Sequence, residues 1–350
     1  MQKLFITMGV VVGFALSNPA VLTVSAQEGE ERRSLVARSK VWFPTDIPSM
    51  NLKAGPTGPG SYELGATITC QYFEKDMSGR SPKFACKLPD GTELKVKYGG
   101  ANGEVYAEVM ASRLLWALGF GADSMYSVRV ICQTCPDEVN GIVRENGDRI
   151  LDPAAIERKL PGEELTGEWD WDELDEVNPA VGGAPLAQRD ALKLLAVMLQ
   201  HSDSKPQQQR VVCLDEEKSP RCATPLMMIN DLGITFGRAN TFNVQPKGSA
   251  NLSEWRELPV WKGATGCVGN LAGSFTGTLK EPVISEEGRQ FLADLLVQLS
   301  DQQLRDMFEA ARIHLRARVP ESGRSGFPLM AEWVDAFKDK RTQIVERRCA

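Results

Sequence analysis

Histidine is scarce in this chain, and its scarcity limits the available chemistry. Only His201 and His314 occur among 350 residues. A zinc site with several histidine ligands is therefore strongly disfavoured, and any histidine-dependent triad would have to use one of these two. The sequence also has no G-x-S-x-G motif, so the nucleophile elbow of the α/β-hydrolases is absent. A serine or metal hydrolase is accordingly poorly supported.

The sequence also lacks an excess of positive charge. Its 40 lysines and arginines are outnumbered by 46 aspartates and glutamates, which gives a net charge of −6. Because no basic block could meet a phosphate backbone, a general nucleic-acid binder is not expected. The hydrophobic fraction of 42% and the charged fraction of 25% are those of a globular protein. The length suggests one large domain or two closely packed lobes.

Long apolar runs are confined to the amino terminus. Lys3 precedes the largely apolar stretch 4–22, and Val24-Ser25-Ala26 then offers the small residues that signal peptidase accepts. We predict a signal peptide over residues 1–26, cleaved near Ala26, and an exported protein, either periplasmic or extracellular. The alternative is a single membrane anchor at this end. No later stretch approaches 18 unbroken apolar residues, so no membrane span is expected in the mature chain.

All eight cysteines lie after the predicted cleavage site. An even number of cysteines in an exported chain predicts disulfides. The Cys132-Gln-Thr-Cys135 spacing favours a short structural disulfide, and its alternative is the redox motif of a thiol oxidoreductase. Two further pairs are favoured because one joins neighbouring predicted strands and the other flanks a polar loop. The predicted pairs are Cys70–Cys86, Cys132–Cys135, Cys213–Cys222 and, by elimination, Cys267–Cys349.

Strand and helix signals divide the chain into a strand-rich front and a helix-rich back. Residues 27–60 indicate an irregular lead-in, and residues 137–185 an acidic loop that contains Trp169 and Trp171. The tryptophan pair favours packing between lobes over a carbohydrate-stacking patch. The predicted strands are 67–74, 83–88, 93–98, 126–132, 211–214 and 226–229. The predicted helices are 104–118, closed by Gly119, then 188–200, 286–299, 304–313 and 329–347.

Four groups of residues that could take part in catalysis follow one another along the chain. Lys97 lies on the third predicted strand, and Glu108 lies on the next helix. The run His201-Ser-Asp203-Ser-Lys205-Pro-Gln-Gln208 follows a buried helix, and Asn230-Asp231-Leu-Gly233 follows a strand. This set resembles the protein-kinase signature of strand lysine, helix glutamate, H-x-D-x-x-x-x-N catalytic loop and D-x-G metal loop. Gln208 stands five residues after Asp203, where the loop amide belongs.

The resemblance implies a role for each residue in ATP-dependent phosphoryl transfer. Lys97 would hold the nucleotide phosphates, and Glu108 would hold Lys97. Mg²⁺ or Mn²⁺ needs hard oxygen ligands, which Asp231 and Gln208 would supply. Asp203 would orient or deprotonate the acceptor hydroxyl. Lys205 would neutralise the transferred phosphate. The acceptor is an unknown hydroxyl-bearing molecule.

A finer resemblance concerns the segment between the first two strands. Gly79-Arg-Ser81-Pro-Lys83 is similar to the short phosphate loop of HipA-type kinases, in which backbone and hydroxyl donors face phosphate. The helix around Glu108 is similar to that of HipA-type and secretory-pathway atypical kinases. The same segments resemble a group of uncharacterised exported bacterial proteins. This resemblance implies an α+β, two-lobed protein-kinase-like fold. Its antiparallel β-rich N-lobe would span 61–136, and its mainly helical C-lobe 137–350.

Several alternatives stay open at this stage. Lys95 lies on the same strand face as Lys97 and competes for its role. Glu104 competes in the same way with Glu108. Ser202 replaces the loop arginine that anchors activation-loop phosphates, and Gln208 replaces asparagine. These two departures favour a second hypothesis, a catalytically inactive pseudokinase that acts as a binding or scaffold protein.

Overall fold

The computed structural model describes residues 19–79, 81–139, 142–165, 167–215, 222–237, 248–272, 277–316 and 329–349. The protein mixes strands and helices, with most strands in the first half and most helices in the second. Among the described helices, none is both long and apolar enough to cross a membrane. The first 18 residues of the predicted signal peptide lie outside the described residues.

Five strands form a closed barrel, in the order β1-β2-β3-β5-β4. They are β1 (Thr67–Phe73), β2 (Lys83–Lys87), β3 (Glu93–Tyr98), β4 (Ser124–Val139) and β5 (Ile142–Arg158). Because successive side chains of a strand point to opposite faces, alternate residues of each strand fill the interior. Cys86, Val96 and Ile156 are such interior residues, and all three are completely buried.

The barrel closes through a parallel strand pair, whereas an antiparallel sheet was expected. β1 pairs with β4 in parallel, from Thr67 opposite Arg129 to Gln71 opposite Gln133. The other neighbouring strands pair antiparallel. A parallel pair needs a long connection, and the intervening strands and helix provide it. The alternation of polar and apolar residues shows which side chains of a strand share a face, but not which strands pair. The sequence pattern therefore could not predict that the barrel closes.

The hairpin of β4 and β5 extends well beyond the single strand predicted there. β4 continues past Cys132 to Val139, and β5 occupies residues 142–158 of the expected acidic loop. The loop prediction was wrong over this range because charged residues interrupt the apolar alternation. Pairing along β4 stabilises the strand instead. The expected lobe boundary after residue 136 falls inside β4.

The expected irregular lead-in begins with a helix, which corrects that prediction for residues 27–38. Helix α1 covers Pro19–Arg38 and includes the expected cleavage site. Arg32 forms an ion pair with Glu173 at 2.6 Å, and Arg38 donates to the Cys222 carbonyl at 2.9 Å. These contacts dock the helix onto later parts of the chain. Downstream, the segment is irregular apart from isolated bridges and a short 3₁₀ turn.

Helix α2 (Glu104–Leu118) has the predicted bounds and packs against the barrel. Nearly all of its side chains are buried, including both glutamates. Gly119 ends the helix with φ of +86°, and its amide bonds to the Leu115 and Trp116 carbonyls. Glycine suits this left-handed position because it has no Cβ.

A second sheet brings the two candidate loops together. It contains β6 (Glu163–Glu164), β7 (Gln209–Cys213) and β8 (Pro225–Ile229), in that order. Helix α3 (Leu186–Leu199) precedes β7 in the chain. In the antiparallel register Gln209 lies opposite Ile229. The loop that ends at Gln208 therefore lies beside the loop that starts at Asn230.

The carboxy-terminal part is helical, as predicted. Its described helices are α4 (Leu252–Glu257), α5 (Glu286–Leu296), α6 (Asp301–Ala310), α7 (Ile313–Arg316) and α8 (Met330–Glu346). Buried aromatic rings of Phe236, Trp255, Phe308 and Trp333 form one packed cluster among them. Ring pairs of this kind stabilise a core beyond the area that they bury.

All four predicted disulfides are present, and no cysteine is free. Trp169 and Trp171 are fully buried against each other. The Trp169 indole nitrogen donates to the carbonyls of Arg210 and Met228. These rings are packing anchors, and they offer no surface for stacking a sugar.

Candidate active site

Lys97 is the centre of a buried group of charges between the barrel and α2. Its side chain is completely buried. The ammonium nitrogen lies 2.6 Å from Glu108 Oε1, 2.7 Å from Glu104 Oε2 and 3.5 Å from Asp231 Oδ1. The predicted Lys97–Glu108 ion pair is therefore confirmed. Glu104 and Glu108 are one helical turn apart, so both reach the same ammonium.

Lys95 occupies a separate position on the same face of β3. Its ammonium pairs with Glu157 of β5 at 2.5 Å. Of the two lysines, Lys97 is therefore the one that pairs with Glu108, and Lys95 pairs with Glu157 instead. The competition between Glu104 and Glu108 ends differently, because both of them bind Lys97.

Asp231 reaches the cluster from the loop after β8. Its Oδ1 also accepts a hydrogen bond from the Gly233 amide at 3.0 Å, which forms a tight turn of the kind that aspartate favours. A Cβ on Gly233 would lie 2.9 Å from Glu104 Cγ and Oε2. The D-L-G sequence thus places glycine at a close approach between α2 and this loop.

Mutual electrostatics shift the pKa values of the cluster in opposite directions. Burial alone would lower the pKa of Lys97, but the carboxylates of Asp231, Glu108 and Glu104 raise it well above its ordinary value. Burial raises the pKa of Asp231, yet the opposing attraction of Lys97 holds it well below the ordinary range. Burial, with the nearby Asp231 charge, raises the pKa of Glu108 well above its ordinary value. The lysine is therefore firmly protonated.

Asp203 lies on the neighbouring loop between α3 and β7. Its Oδ2 accepts hydrogen bonds from the Gln208 amide nitrogen at 2.7 Å and from the Lys205 ammonium at 3.0 Å. The Gln208 main-chain carbonyl accepts from the Asn230 amide at 2.9 Å. The backbone of this loop therefore touches the loop that carries Asp231. The three predicted loop residues are together, and Gln208 faces Asp203 with the nitrogen end of its amide.

His201 is a buried residue at the start of this loop. Its backbone amide bonds to the Ala196 carbonyl at 2.9 Å, which closes the end of α3. The ring lies 6.3 Å from that of Trp171. Burial lowers its pKa to about 4, so the ring is neutral at pH 7. His201 supports the loop and is too enclosed to exchange protons with a substrate.

The expected phosphate loop approaches the same cluster. The Ser81 hydroxyl donates to Glu104 Oε2 at 2.9 Å. Lys83 of β2 lies opposite Lys97 in the sheet register, and a Cβ on Gly79 would lie 2.7 Å from its ammonium nitrogen. Burial and the charge of Lys97 lower the pKa of Lys83. The structure therefore brings Gly79, Ser81 and Lys83 to one side of the cluster. The neighbouring Arg80 lies outside the described residues.

Within the described chain, two groups of side chains have the composition of a metal site. One group contains Glu104, Glu108 and Asp231, whose oxygens lie within 4.8 Å of one another. The other contains Cys213, Asp215 and Cys222, but its two sulfurs form a disulfide. A disulfide offers no thiolate to a metal, so only the carboxylate group has suitable donors.

Comparison with known proteins gives a weak structural similarity and no family. No family model matches the chain, and no curated protein matches it. Among solved structures, the chain is similar to the crystal structure of CtkA, a proinflammatory kinase of Helicobacter pylori. The TM-score is 0.44 and the sequence identity 8%, over 81% of this chain and 96% of that one. At this level of likeness, no role of any residue follows from it.

Proposed function

We propose that this protein is an exported, kinase-like phosphotransferase that uses ATP and a divalent cation. The observation that carries the proposal is the meeting of three separate segments at Lys97. A helix glutamate and the aspartate of a D-x-G turn both lie within 3.5 Å of the ammonium of a strand lysine. The finer proposal is a two-lobed protein-kinase-like fold, with the barrel and α2 as one lobe and the second sheet with the later helices as the other.

The proposed phosphate site lies between Lys97 and the segment that contains Ser81. Phosphoryl transfer needs cations and hydrogen-bond donors around the phosphate oxygens. Lys97 and Lys83 would supply positive charge, and Ser81 with the backbone near Gly79 would supply donors. Glu108 would fix the Lys97 ammonium in place. Since Glu104 binds both Lys97 and Ser81, a phosphate group would have to displace its carboxylate from these two groups.

The residues present suit Mg²⁺ or Mn²⁺. Asp231 offers a carboxylate, and the nitrogen of the Gln208 amide is bound to Asp203, which leaves the oxygen as the end that could ligate. Hard divalent cations prefer such oxygen donors. When bound, the metal would neutralise phosphate charge. Asp231 and Gln208 would hold it, and no other part of the proposal depends on its position.

Asp203 is the proposed group that orients the hydroxyl of the acceptor. It is only partly buried, and its carboxylate bonds to Lys205 and Gln208. These bonds fix its direction, which is what a positioned base requires. Lys205 is also partly exposed, so its ammonium can follow the transferred phosphate. The acceptor itself stays defined only as a hydroxyl-bearing molecule.

Changing each aspartate to asparagine should separate the two roles. Asp231→Asn removes a charged metal ligand, so metal-dependent nucleotide affinity and turnover should fall together. Asp203→Asn should preserve nucleotide binding and reduce turnover by about 10²–10⁴-fold, the range for loss of a general base. Binding is measured from the rise in unfolding temperature with ATP and Mn²⁺. Turnover is measured from transfer of the labelled terminal phosphate to water, to the protein itself and to added proteins.

Asp294→Asn, an exposed change on α5, is the matched control and should alter neither quantity. A ligand at 100 times its Kd adds about 2.7 kcal/mol to the free energy of unfolding, so binding is readily seen. Nucleotide binding without transfer in the unmodified protein would support the pseudokinase alternative. If neither nucleotide binding nor transfer is detected, the loops are structural turns and the proposal is wrong.

A further inference from the structure

A cavity of about 110 Å³ lies at one end of the barrel. Every strand of the barrel contributes to its lining, together with the segment that connects β1 to β2. Part of the wall is aromatic, because Tyr72, Phe84 and Tyr98 line the cavity and pack in the barrel core. An engineered apolar cavity of about 150 Å³ is large enough to bind benzene. The cavity in the barrel therefore has room for a small molecule.

The Cys132–Cys135 disulfide reaches the wall of this cavity. Cys135 lines the cavity, whereas Cys132 is completely buried. The residues between them interrupt β4, since its pairing with β5 shifts register there and Thr134 has φ of +51°. Among the disulfides of the chain, this one encloses the fewest residues. Reducing it therefore removes the least stability from the fold in the chain-entropy account.

The wall of the cavity also carries lysines, and its described lining contains no carboxylate. Lys83 is half-buried and forms no ion pair with any residue that the structure describes. Lys75 pairs with Glu93 at 2.9 Å, but the same carboxylate also pairs with Lys87 at 3.3 Å. One negative charge therefore serves two positive charges. The cavity that Cys135 lines is consequently a place that favours anions.

We propose that Cys132–Cys135 is a redox site that undergoes thiol–disulfide exchange with small anionic thiols entering this cavity. The thiolate of the entering molecule attacks the Cys135 sulfur, forms a mixed disulfide and releases Cys132 as a thiolate. A second molecule then attacks the mixed disulfide and releases Cys135. The two entering thiols lose two electrons and two protons as they form their own disulfide. Cys132 and Cys135 gain the same electrons and protons and become two thiols.

The lysines favour this exchange in two ways. Lys83 and Lys75 attract an entering molecule that carries a negative group besides its thiol. They also stabilise the thiolate form of the reacting sulfurs, which is the nucleophilic form. The exchange needs neither nucleotide nor metal, so it is independent of the proposed phosphotransferase.

The test compares two thiols of opposite charge, mercaptoethanesulfonate and cysteamine, on the folded, oxidised full-length protein. After a short reaction the reduced cysteines are alkylated, and peptide mass spectrometry counts them at each disulfide. Cys213–Cys222 is the internal reference, because the Asp215 carboxylate lies within 4.8 Å of its sulfurs. Comparing two disulfides in one solution cancels the intrinsic difference in reactivity between the reagents.

The measured quantity is the rate with the anionic thiol divided by the rate with the cationic thiol. This ratio should be about tenfold higher at Cys132–Cys135 than at Cys213–Cys222, the order expected when a reagent changes sign near a unit charge in water. The difference should shrink at high salt, because salt screens these charges.

Two variants test whether the lysines cause the preference. Lys83→Gln should lower the ratio at Cys132–Cys135 about threefold, since one nearby charge is lost. Lys75→Gln, at an exposed position on the same wall, should also lower it and is less able to disturb the fold. Lys53→Gln removes an exposed lysine that pairs with Glu309. It is the matched control and should leave the ratio unchanged.

The outcomes decide the inference without reference to phosphate transfer. A preference for the anionic thiol that both lysine variants weaken supports the redox site, whether or not the protein binds nucleotide. Equal ratios at the two disulfides, or a ratio that neither variant changes, would show that the cavity does not select the thiol and would overturn the inference. Reduction of Cys132–Cys135 at a rate independent of thiol concentration would mean that the bond opens only when the protein unfolds. The disulfide would then be purely structural, and the phosphotransferase would be unaffected.

Discussion

Asp123 has a buried carboxyl group outside the Lys97 cluster, and this group makes the stability of the protein depend on pH. It precedes β4, is 8% exposed, and accepts the Leu160 amide at 2.7 Å. Burial, followed by the charge of Glu157, raises the pKa of Asp123 to about 7. In an unfolded chain the same group titrates near a pH of about 4. Between these values the folded protein binds a proton that the unfolded chain releases.

Asp123 should therefore make the protein less stable as the pH rises from about 4 to about 7. Asparagine does not ionise, so Asp123→Asn should lack this loss of stability. From about pH 5 to about pH 8, its free energy of unfolding should therefore rise by roughly 2–3 kcal/mol relative to that of the unmodified protein. Urea unfolding at both pH values measures this difference. Asp294→Asn should show no comparable gain. Equal pH dependence of Asp123→Asn and the unmodified protein would contradict the shifted pKa.

At the scale of elements, the end of α2 is held against the segment that precedes the barrel. Gly119 closes the helix in a left-handed conformation, and its carbonyl accepts the Phe43 amide at 2.9 Å. A Cβ on Gly119 would lie 2.0 Å from the Phe43 carbonyl oxygen. The segment before the barrel therefore packs directly on the backbone of this cap, and no side chain fits between them.

Gly119→Ala should lower the free energy of unfolding by about 2–5 kcal/mol, through both backbone strain and overpacking. Gly263 has a similar φ of +89°, but a Cβ added to it would have nothing within 4 Å. Gly263→Ala should therefore cost only the strain, about 1–2 kcal/mol. Urea unfolding of both variants compares the two costs. Equal losses would show that the contact with Phe43 does not constrain the cap.

The local sequence pattern predicted most of these helices and strands, because each of them can be recognised from its own residues. The alternation of β1 to β3, the cap of α2 and the amphipathic later helices could be read from neighbouring residues. β5 could not, since its strand form depends on pairing with β4 rather than on its own composition. At the candidate site, the two-residue repeat of a strand placed Lys95 and Lys97 on one face of β3. Only the position of Glu157 on another strand distinguishes the two lysines.

At the scale of the whole molecule, the disulfides differ in how much chain they enclose. Cys132–Cys135 joins residues 3 apart, whereas Cys267–Cys349 joins residues 82 apart. The long link attaches the segment after α8 to the segment before α5. In the chain-entropy account, a disulfide stabilises by restricting the unfolded chain, and the effect grows with the enclosed length.

Replacing Cys267 and Cys349 together by alanine should cost about 4–5 kcal/mol, compared with about 2 kcal/mol for Cys132 and Cys135. Guanidinium unfolding of the two double variants under oxidising conditions measures both losses. Each variant retains the other three disulfides, so each is the control for the other. A larger loss for the Cys132–Cys135 pair would indicate that its packing in the barrel outweighs the entropy of the unfolded chain.

Closure of the barrel also bears on how the nucleotide of the proposed function would reach Lys97. In an open sheet, the hairpin of β1 and β2 could swing outward as a flap. Here β2 is tied to β3 and β1 to β4, so that motion would break two ladders of five residue pairs each. Widening of the site would then fall to the turn at Gly233, whose link across the cluster is the side-chain contact of Asp231 with Lys97. The barrel is therefore the rigid side of the proposed site, and any widening would come from the opposite side.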